Sequence, residues 1–544
     1  MKRSCISMIV LSLVGLGFLQ ALGTPTVYGD FALGEPVKFG AAFAGVDNID
    51  CLSYDGLEMY FESDRPGGQG DWDLWVLKRG SKDEDWGPPE NLGSAVNSPQ
   101  GDDYASISAD GLTLYFTSSR PGGYGSWDIY MTTRATKSNP WGRAVNLGPT
   151  VNGAVMDSDP WISPDGLELY LKSWRSGGYG LADIWVARRT TESSPWVEPV
   201  NLGPVMNSAS GEGYLSLSPD GLLLLFNDSF TEGYQRPGGY GGTDMWMARR
   251  ASLSAPWQAP VNLGPKINSP SHDAYPRISP DGCTLYFWSV GSGGVLQAPI
   301  VPICDFNGDG QVDGKDVLVM AKCWGETEPL CDIGPFAWGD GVVDVQDLTV
   351  LAEYIGKEVV DPTLIAHWAL DEAEGATARD SAGTNNGTVI GNPAWQPAGG
   401  RVGGALKFDG GPRFVMTKFV CDPSTGPFSA FAWVKGGAPG QVILSQGSGA
   451  NWLMASTPKG ALAGQGLTSS ALITDGAWHR IGFVWDGSNR ILYVDGVEAA
   501  RDLVANLAGS TNGLYIGGAR DLTPGSFWSG LIDDVRIYNR VVKQ

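Results

Sequence analysis

The sequence predicts a mainly β, multidomain protein: a five-bladed β-propeller, then a small two-helix module, then a C-terminal β-sandwich of the jelly-roll type. Composition is the first of three observations behind this prediction, since 77 Gly, 35 Pro and 21 Trp in 544 residues favour turn-rich β domains. The second is an Asp-Gly pair that recurs five times at a spacing of about 55 residues. The third is a change after residue 302, first to acidic loops with short apolar helices and then to alternating strands.

Charge and histidine content exclude two classes of function. The chain has 37 Lys and Arg against 59 Asp and Glu, a net charge of −22, so it repels phosphate backbones and nucleic acid is excluded as a partner. With only 3 His, a His-rich zinc site is also excluded. Hydrophobic residues make up 42% of the chain, which is enough to build packed cores.

The N-terminus has the pattern of an export signal. Lys2 and Arg3 precede an apolar run over residues 6–22, and Ala21-Leu22-Gly23 offers small residues for a signal peptidase. We expect residues 1–23 to be a signal peptide and the protein to be secreted or held at the cell surface. A retained N-terminal anchor is the alternative, and no later segment is long enough for a membrane span.

Residues 24–302 contain the repeats. Each has an Asp-Gly turn inside a strand pair, a Gly-rich turn, an aromatic strand and a closing Asn-Leu-Gly, which makes four short strands typical of a propeller blade. The pairs begin at Asp55, Asp110, Asp165, Asp220 and Asp281. The fifth repeat ends after its third strand, near residue 300, whereas residues 35–39 match a last strand. We therefore expect that first segment to complete the fifth blade.

The Ser-Pro-Asp-Gly sequences at 163–166, 218–221 and 279–282 resemble the TolB-like, WD-repeat-like β-propeller family over about residues 33–302. The resemblance implies an interaction platform.

An acidic residue stands eight positions before every Asp-Gly pair. As a ring at one channel mouth, these acids could form a cation site or an acid/base pair for glycoside hydrolysis. They could instead cap turns or pair with an Arg of the neighbouring blade. A group present in every blade is expected to serve the blade, so the structural interpretation is favoured and no catalytic residue is assigned. The ring consists of Asp47, Asp102, Asp157, Glu212 and Asp273.

Residues 303–358 contain a calcium-loop pattern. Oxygen side chains occupy loop positions 1, 3, 5, 9 and 12, and the carbonyl of Gln311 would add a ligand at position 7. These side chains are Asp305, Asn307, Asp309, Asp313 and Asp316. A second, partial pattern contains Asp340, Asp344 and Asp347. Its positions 1 and 3 fall on Phe336 and Trp338, and Asp332 could replace position 1 only across a four-residue insertion, so this site is predicted to be weak or empty.

Two such loops, each followed by one helix, resemble the type I dockerin family over the whole segment. The resemblance implies Ca²⁺ as cofactor and a cohesin-like partner. The positions with which the family reads cohesin hold Gly314-Lys315 and Val345-Gln346 instead of a Ser-Thr pair. A purely structural calcium module between two larger domains remains the alternative. Six of the seven cysteines lie beyond the expected signal peptide. Among these six, Cys304, Cys323 and Cys331 are the group in which a disulfide is expected.

Residues 362–544 predict the sandwich, because strands recur at 8–12 residue spacing. The closing sequence at 532–538 and the Leu-Tyr-Val-Asp-Gly segment resemble the laminin-G-like, concanavalin A-like lectin/glucanase family. The resemblance implies a structural Ca²⁺ held by Asp371 and Asp533. We expect His479 to be a core residue, and Trp452 and Trp528 either to meet a sugar or to lie in the core. A strand with two closely spaced Glu, as in the family's glucanases, is missing from the sequence.

Three functions follow as hypotheses. The leading one is a non-catalytic, exported protein that binds polysaccharide or another glycan and docks a protein partner. The second is a glycoside hydrolase that acts through the channel carboxylates. The third is a cell-surface adhesion or envelope-assembly protein.

Overall fold

The computed structural model describes residues 31–39, 48–326, 331–357, 361, 363–504 and 506–542. Among these residues the chain forms two compact units, one within residues 33–301 and one within residues 302–542, and the second also includes Phe31 and Ala32. The expected signal peptide and Asp47 lie outside the described residues. Within the described ranges, neither helix combines the length and the apolar character needed to cross a membrane.

The first unit is a five-bladed β-propeller, as predicted. Its blades are antiparallel sheets in which each strand pairs with the next along the chain. The first blade comprises Cys51–Leu52, Glu58–Ser63, Asp73–Lys78 and Glu90–Asn91. The second comprises Asp102–Ile107, Thr113–Ser118, Asp128–Thr133 and Val145–Asn146. The third comprises Asp157–Ile162, Glu168–Ser173, Asp183–Arg188 and Val200–Asn201. The fourth blade comprises Glu212–Leu217, Leu223–Asp228, Met245–Arg249 and Val261–Asn262. The fifth comprises Asp273–Ile278, Thr284–Ser289 and Gly294–Pro302. A short strand, Phe31–Leu33, precedes the first blade.

The fifth blade is closed by the start of the chain, as the repeat pattern predicts. Val37–Lys38 pairs with Gln297 and Leu296, just as Glu90–Asn91 pairs with the third strand of the first blade. Side chains on both sides of this junction also share a core, since Tyr286 packs against the cluster that contains Trp75. This closure fixes the innermost strands around a central channel.

The repeated Asp-Gly pair makes the turn between the first two strands of each blade. In the second blade Ser108 Oγ donates to Asp110 Oδ1 at 2.6 Å, and the Leu112 amide donates to the same oxygen at 2.9 Å. Gly111 has φ of +75°, a left-handed conformation that glycine adopts at little cost. Asp and Gly therefore recur because the turn needs an acceptor and a positive φ.

The second unit begins with two helices, α1 Gly314–Lys322 and α2 Val345–Tyr354. Both start with a capping box, in which Asp313 or Asp344 accepts from the helix while the Asp three residues later accepts from the cap's backbone amide. A small apolar cluster that includes Phe306, Met320 and Leu351 packs between them. The Sγ atoms of Cys323 and Cys331 are 3.6 Å apart, beyond the bond length of about 2 Å.

The rest of the second unit is the predicted sandwich of two antiparallel sheets. One contains, in spatial order, Ala394–Gln396, Ala405–Lys407, Gly530–Tyr538, Phe428–Gly436, Trp478–Trp485, Asn489–Val494 and Val497–Leu503, with Leu364–Trp368 also on Gly530–Tyr538. The other contains Thr377–Ala378, Gly387–Ile390, Phe414–Met416, Leu514–Ile516, Val442–Gln446, Asn451–Ala455, Ala461–Gly464 and Leu467–Leu472. Trp452 and Trp528 are 0% exposed in the core between the sheets, so neither meets solvent.

Candidate functional site

The four described ring acids are buried, and each accepts hydrogen bonds from residues close to it in the chain, although Glu212 Oε2 and Asp273 Oδ1 have no partner. Asp102 accepts from the Ser98 amide at 2.5 Å and from Arg120 Nη2 at 2.6 Å. Asp157 repeats this arrangement with the Gly153 amide and Arg175, both at 2.6 Å. The arginine is 18 residues further along the same blade, not in the neighbouring blade as the sequence suggested.

The remaining ring acids follow the same scheme with small departures. Glu212 accepts from the Ser208 amide at 3.0 Å and from Arg236 at 3.2 Å. Asp273 accepts from both the amide and the hydroxyl of Ser269, at 2.5 and 2.7 Å. The four described ring acids are at most 1% exposed, so they hold the blades together and do not form an open mouth.

A second set of carboxyl groups lies one to three positions beyond the ring acids, on the innermost strands. Asp103 immediately follows a ring acid, Asp159 comes two positions after another, and Asp50 stands three positions after Asp47. Neither Oδ atom of Asp50 makes a hydrogen bond of ordinary geometry, and the same holds for Asp103 Oδ1 and Asp159 Oδ1. These side chains are 0%, 9% and 4% exposed, respectively. We call them, with Glu62, the channel acids.

The second strands of the blades hold these groups in place across the channel. Glu62 accepts from the Tyr104 amide of the next blade at 3.1 Å. Thr117 Oγ1 accepts from the Asp159 amide of the next blade, also at 3.1 Å. At the matching position of the third blade stands Lys172, whose Nζ lies 3.7 Å from Asp159 and 3.9 Å from the ring centre of Tyr214. Its ammonium group therefore points into the channel.

The channel acids perturb one another. Burial raises the pKa of Asp103 well above its usual value, and the negative charges of Glu62, Asp159 and Asp50 raise it further. Burial also raises the pKa of Glu62 to about 7, although the Tyr104 amide and Asn48 donate to its carboxylate. Burial and Glu62 together raise the pKa of Asp50. Such clustered shifts are typical of functional sites, because a fold gains no stability from them.

Aromatic rings lie beside the channel acids. Tyr104, Tyr214 and Tyr275 share one position in three different blades, and all three have positive φ. Their ring centres are 5.3 Å (Tyr104–Tyr214), 4.8 Å (Tyr214–Tyr275) and 6.4 Å (Tyr104–Tyr275) apart. Phe230 extends the group, 5.6 Å from Tyr214. Each of these tyrosines keeps part of its surface exposed.

Sequence reasoning assigned no role to the channel acids, although a signal was present. At the position of Asp50, the other four repeats hold Ala105, Pro160, Leu215 and Pro276. At the position of Lys172 they hold Glu62, Thr117, Asn227 and Trp288. Functional residues are expected where a repeat is broken, and these positions break it.

The first acidic loop has the form of a cation-binding loop. Asp305 accepts from the amides of Asp309 and Gly310 at 3.1 and 2.8 Å, and Asp316 Oδ1 accepts from those of Phe306 and Asn307 at 2.9 and 3.2 Å. Asp313 caps α1. Lys315 Nζ lies 2.5 Å from Asp309 Oδ2 and 3.8 Å from Asp313 Oδ2, so a positive charge already bridges two predicted ligands. The amide of Gln311 donates to Asp309 at 3.1 Å.

The second loop repeats the first contact for contact. Asp332 accepts from the amides of Asp340 and Gly341 at 2.8 and 2.7 Å, which is the role of Asp305. Asp347 accepts from the amides of Ile333 and Gly334, as Asp316 does in the first loop. Asp332 therefore occupies position 1 across the insertion, and Gly334 falls at position 3.

In that second loop Asp344 caps α2, and Gln346 Nε2 donates to Asp340 at 2.9 Å. The loop has no side-chain oxygen at position 3. Within the described residues no three His, Cys, Asp or Glu side chains converge as they would around a bound metal ion. The loop carboxylates are instead held by the backbone amides.

Three side chains of the sandwich hydrogen-bond to backbone carbonyls of the first loop. Arg480 Nη2 donates to the carbonyls of Asn307 and Gly308 at 3.1 and 2.7 Å. Tyr538 Oη donates to Gly308 O at 2.9 Å, and Arg540 Nη2 donates to Asp305 O at 2.8 Å. The loop module and the sandwich thus form one continuous structure.

Asp371 and Asp533 meet at the turn over residues 399–404. Asp533 Oδ2 accepts from the amides of Arg401 and Val402 at 2.6 and 2.8 Å, and Asp371 accepts from the Gly404 amide. Asp533 is 0% exposed and its Oδ1 has no hydrogen bond. Burial raises the pKa of Asp533 to about 7. The buried oxygen of Asp533 and the exposed carboxylate of Asp371 are ligands that suit a hard cation.

His479 lies at the sheet surface and not in the core expected from the sequence. Its Nδ1 lies 2.7 Å from Asp495 Oδ2 and its Nε2 lies 3.0 Å from Asp475 Oδ1. Burial works against the charged imidazole, but the hydrogen bonds to these two carboxylates raise the pKa of His479 above its usual value. This arrangement stabilises a cation and supplies no free base.

Residues 414–544 match the model of a laminin G domain family in the concanavalin A-like lectin/glucanases superfamily. The C-terminal sandwich is therefore a concanavalin A-like domain. A search of curated proteins finds no match.

Solved structures with some likeness include the Trypanosoma rangeli sialidase in complex with the inhibitor DANA, 13% identical over 91% of each chain with a TM-score of 0.36. Domain 4 of AbnA, a GH43 extracellular arabinanase from Geobacillus stearothermophilus, in complex with arabinotriose, is 20% identical over 33% of this chain and 94% of that chain, with a TM-score of 0.27. TolB from Acinetobacter baumannii is 16% identical over 46% of this chain and 54% of that chain, with a TM-score of 0.30. At TM-scores below 0.5 these likenesses carry no functional argument.

Proposed function

We propose that this is an exported, multimodular protein that binds polysaccharide or another glycan and has no catalytic residue in its repeated acids. The observation that carries the proposal is the match of residues 414–544 to the concanavalin A-like lectins and glucanases, on a complete two-sheet sandwich. The ring acids do not support hydrolysis, because internal amides and arginines already occupy carboxylates such as Asp102 and Asp157.

Calcium is the proposed cofactor. In the first loop Asp305, Asn307, Asp309, Asp313, Asp316 and the carbonyl of Gln311 would hold it, and in the second loop Asp332, Asp340, Asp344 and Asp347. The side-chain oxygens suit a hard cation, which would displace the ammonium of Lys315 from Asp309 and Asp313. When bound, the ion would neutralise the crowded carboxylates. Asp371 and Asp533 would hold a further ion in the sandwich.

A bracing role of the loop module is favoured over a freely docking one. Arg480, Tyr538 and Arg540 together hold three carbonyls of the first loop, which ties loop geometry to the sandwich. Docking of a cohesin-like or other protein is the second candidate. It is favoured by apolar side chains on the outer faces of the helices, with Leu318 65% and Val345 62% exposed.

The proposal is tested by retention of the full chain on a panel of insoluble polysaccharides, with calcium and with EGTA. We expect selective retention that EGTA weakens. Asp533→Asn should weaken it at least tenfold, whereas Asp521→Asn, an exposed carboxylate of the same domain, should leave it unchanged. Absence of retention on every polysaccharide would contradict glycan binding and favour a role in adhesion or envelope assembly.

A further inference from the structure

We propose that the propeller channel carries a second ligand site, for an uncharged pyranose or furanose sugar, formed by the channel acids beside Tyr104, Tyr214 and Tyr275. This site lies in the first unit and is independent of the sandwich. It goes beyond glycan retention by the concanavalin A-like domain.

Residues that occur in a single repeat lie beside the channel acids. The blades are near copies of one another, so a residue that serves the blade is present in all of them, as the ring acids are. Asp50, Lys172 and Arg277 each occur in a single repeat at their position, yet Arg277 interacts with the charges of Asp50 and Asp159, and Lys172 Nζ lies 3.7 Å from Asp159. Arg277 Nε donates to Asp50 O, and Arg277 Nη1 donates to Leu215 O at 3.0 Å, which links three blades.

Several buried carboxylate oxygens of the channel acids have no hydrogen-bond donor. Asp50 is fully buried, and both of its oxygens lack a hydrogen bond of ordinary geometry, as does one oxygen each of Asp103 and Asp159. A buried polar group without a hydrogen-bond partner destabilises the fold, and a charged one does so more strongly. A ligand that brings several hydroxyl donors would relieve this cost. Sugars present such donors around one ring.

Aromatic rings that contact one another form a surface beside these acids. Tyr214 makes edge contacts with Tyr104 and Tyr275, and Trp288 stands 6.0 Å from Tyr275. A sugar ring has apolar C–H faces between its hydroxyls, and such faces pack well against aromatic rings whose polar ends reach the donors. Acceptors beside partly exposed rings match both parts of a sugar.

Charge selects an uncharged ligand. The cation position is already taken, because Lys172 Nζ lies over Tyr214 and beside Asp159. An external ammonium group would have to compete with it. An anionic sugar would meet four carboxyl groups, while the guanidinium of Arg277 is engaged with backbone carbonyls. Neutral hydroxyls avoid both conflicts.

The test is calorimetric titration of the full chain with D-glucose, D-galactose, D-mannose, D-xylose, L-arabinose and their disaccharides. D-glucuronate and D-glucosamine serve as charged comparisons. We expect one neutral sugar to bind at a single site at least tenfold more tightly than the charged ones. Asp103→Asn and Tyr214→Leu should each weaken that binding at least tenfold, while Asp83→Asn, an exposed carboxylate of the same unit, should not.

Equal binding by Asp103→Asn and the unaltered chain would overturn the proposal, as would preference for a charged sugar or no binding in the panel. Thermal unfolding of each variant shows whether it is folded, and the two variants act through different chemistry. Asp533→Asn should leave channel binding unchanged, and Asp103→Asn should leave polysaccharide retention unchanged. Failure of the channel site and failure of the sandwich proposal are therefore distinguishable.

Discussion

Asp102 and Asp103 are neighbours in the chain and have opposite surroundings. Asp102 receives the Ser98 amide and the Arg120 guanidinium, so its burial is compensated. Asp103 is almost as buried, yet one of its oxygens has no hydrogen bond, and burial and four other carboxyl groups, Asp102 among them, raise its pKa. The difference indicates that Asp102 supports the fold, whereas Asp103, whose position holds a carboxylate in this repeat alone, is held at a cost that a ligand would relieve under the proposal above.

The largest effect is expected from breaking a repeated acid. Asp157→Ala removes the partner of Arg175 and of the Gly153 amide, and leaves a guanidinium with only 16% of its side chain exposed without its counter-ion. Breaking a buried pair costs about 3–5 kcal/mol. Urea unfolding should show a loss of this size, and Asp83→Ala, at an exposed site, should change little. A loss below about 1 kcal/mol would contradict a structural role for the ring.

The opposite sign is expected at a channel acid. Asp103→Asn keeps the size of the side chain and removes one of four crowded charges, so it should stabilise the ligand-free protein by about 1–3 kcal/mol at pH 8. Urea unfolding of the two proteins at one pH measures this difference. Destabilisation by Asp103→Asn would show that its carboxylate supports the fold after all.

The pH dependence provides the control for this substitution. A carboxyl group whose folded pKa is raised binds more protons in the folded state, so stability falls as pH rises from the unfolded value towards the folded one. For Glu62 that window runs from 4.5 to about 7. For Asp103 the window opens at 3.8, so the gain from Asp103→Asn should be smallest at pH 4 and grow as the pH rises above it. Buried acids outside the channel contribute equally to both proteins and cancel in the difference.

The same comparison explains what sequence could predict. The five blades follow from the Asp-Gly turn and the alternating strands, because these features have local physical causes and occur in every repeat. Closure by Val37–Lys38 followed from counting strands. The channel site did not follow, because Asp50, Asp103 and Asp159 are distant in sequence and only ring closure brings them together. The sequence could offer Asp332 for position 1 only across a four-residue insertion, and the path of that insertion depends on tertiary contacts.

The smallest effect is expected at the surface, where carboxylates also face a cation. Asp495 and Asp475 hydrogen-bond to His479, and they are 49% and 41% exposed, so solvent screens the pairing. Because the pKa of His479 is raised, its charged form stabilises the fold below pH 6.5, and this contribution disappears as pH rises through the folded value. His479→Gln should therefore lower stability by less than about 1 kcal/mol at pH 5.5 and by less still at pH 8.5, as followed by urea unfolding. A loss at pH 5.5 as large as that of Asp157→Ala would mean that burial does not decide what such a pair is worth, and the contrast between ring and channel acids would need another cause.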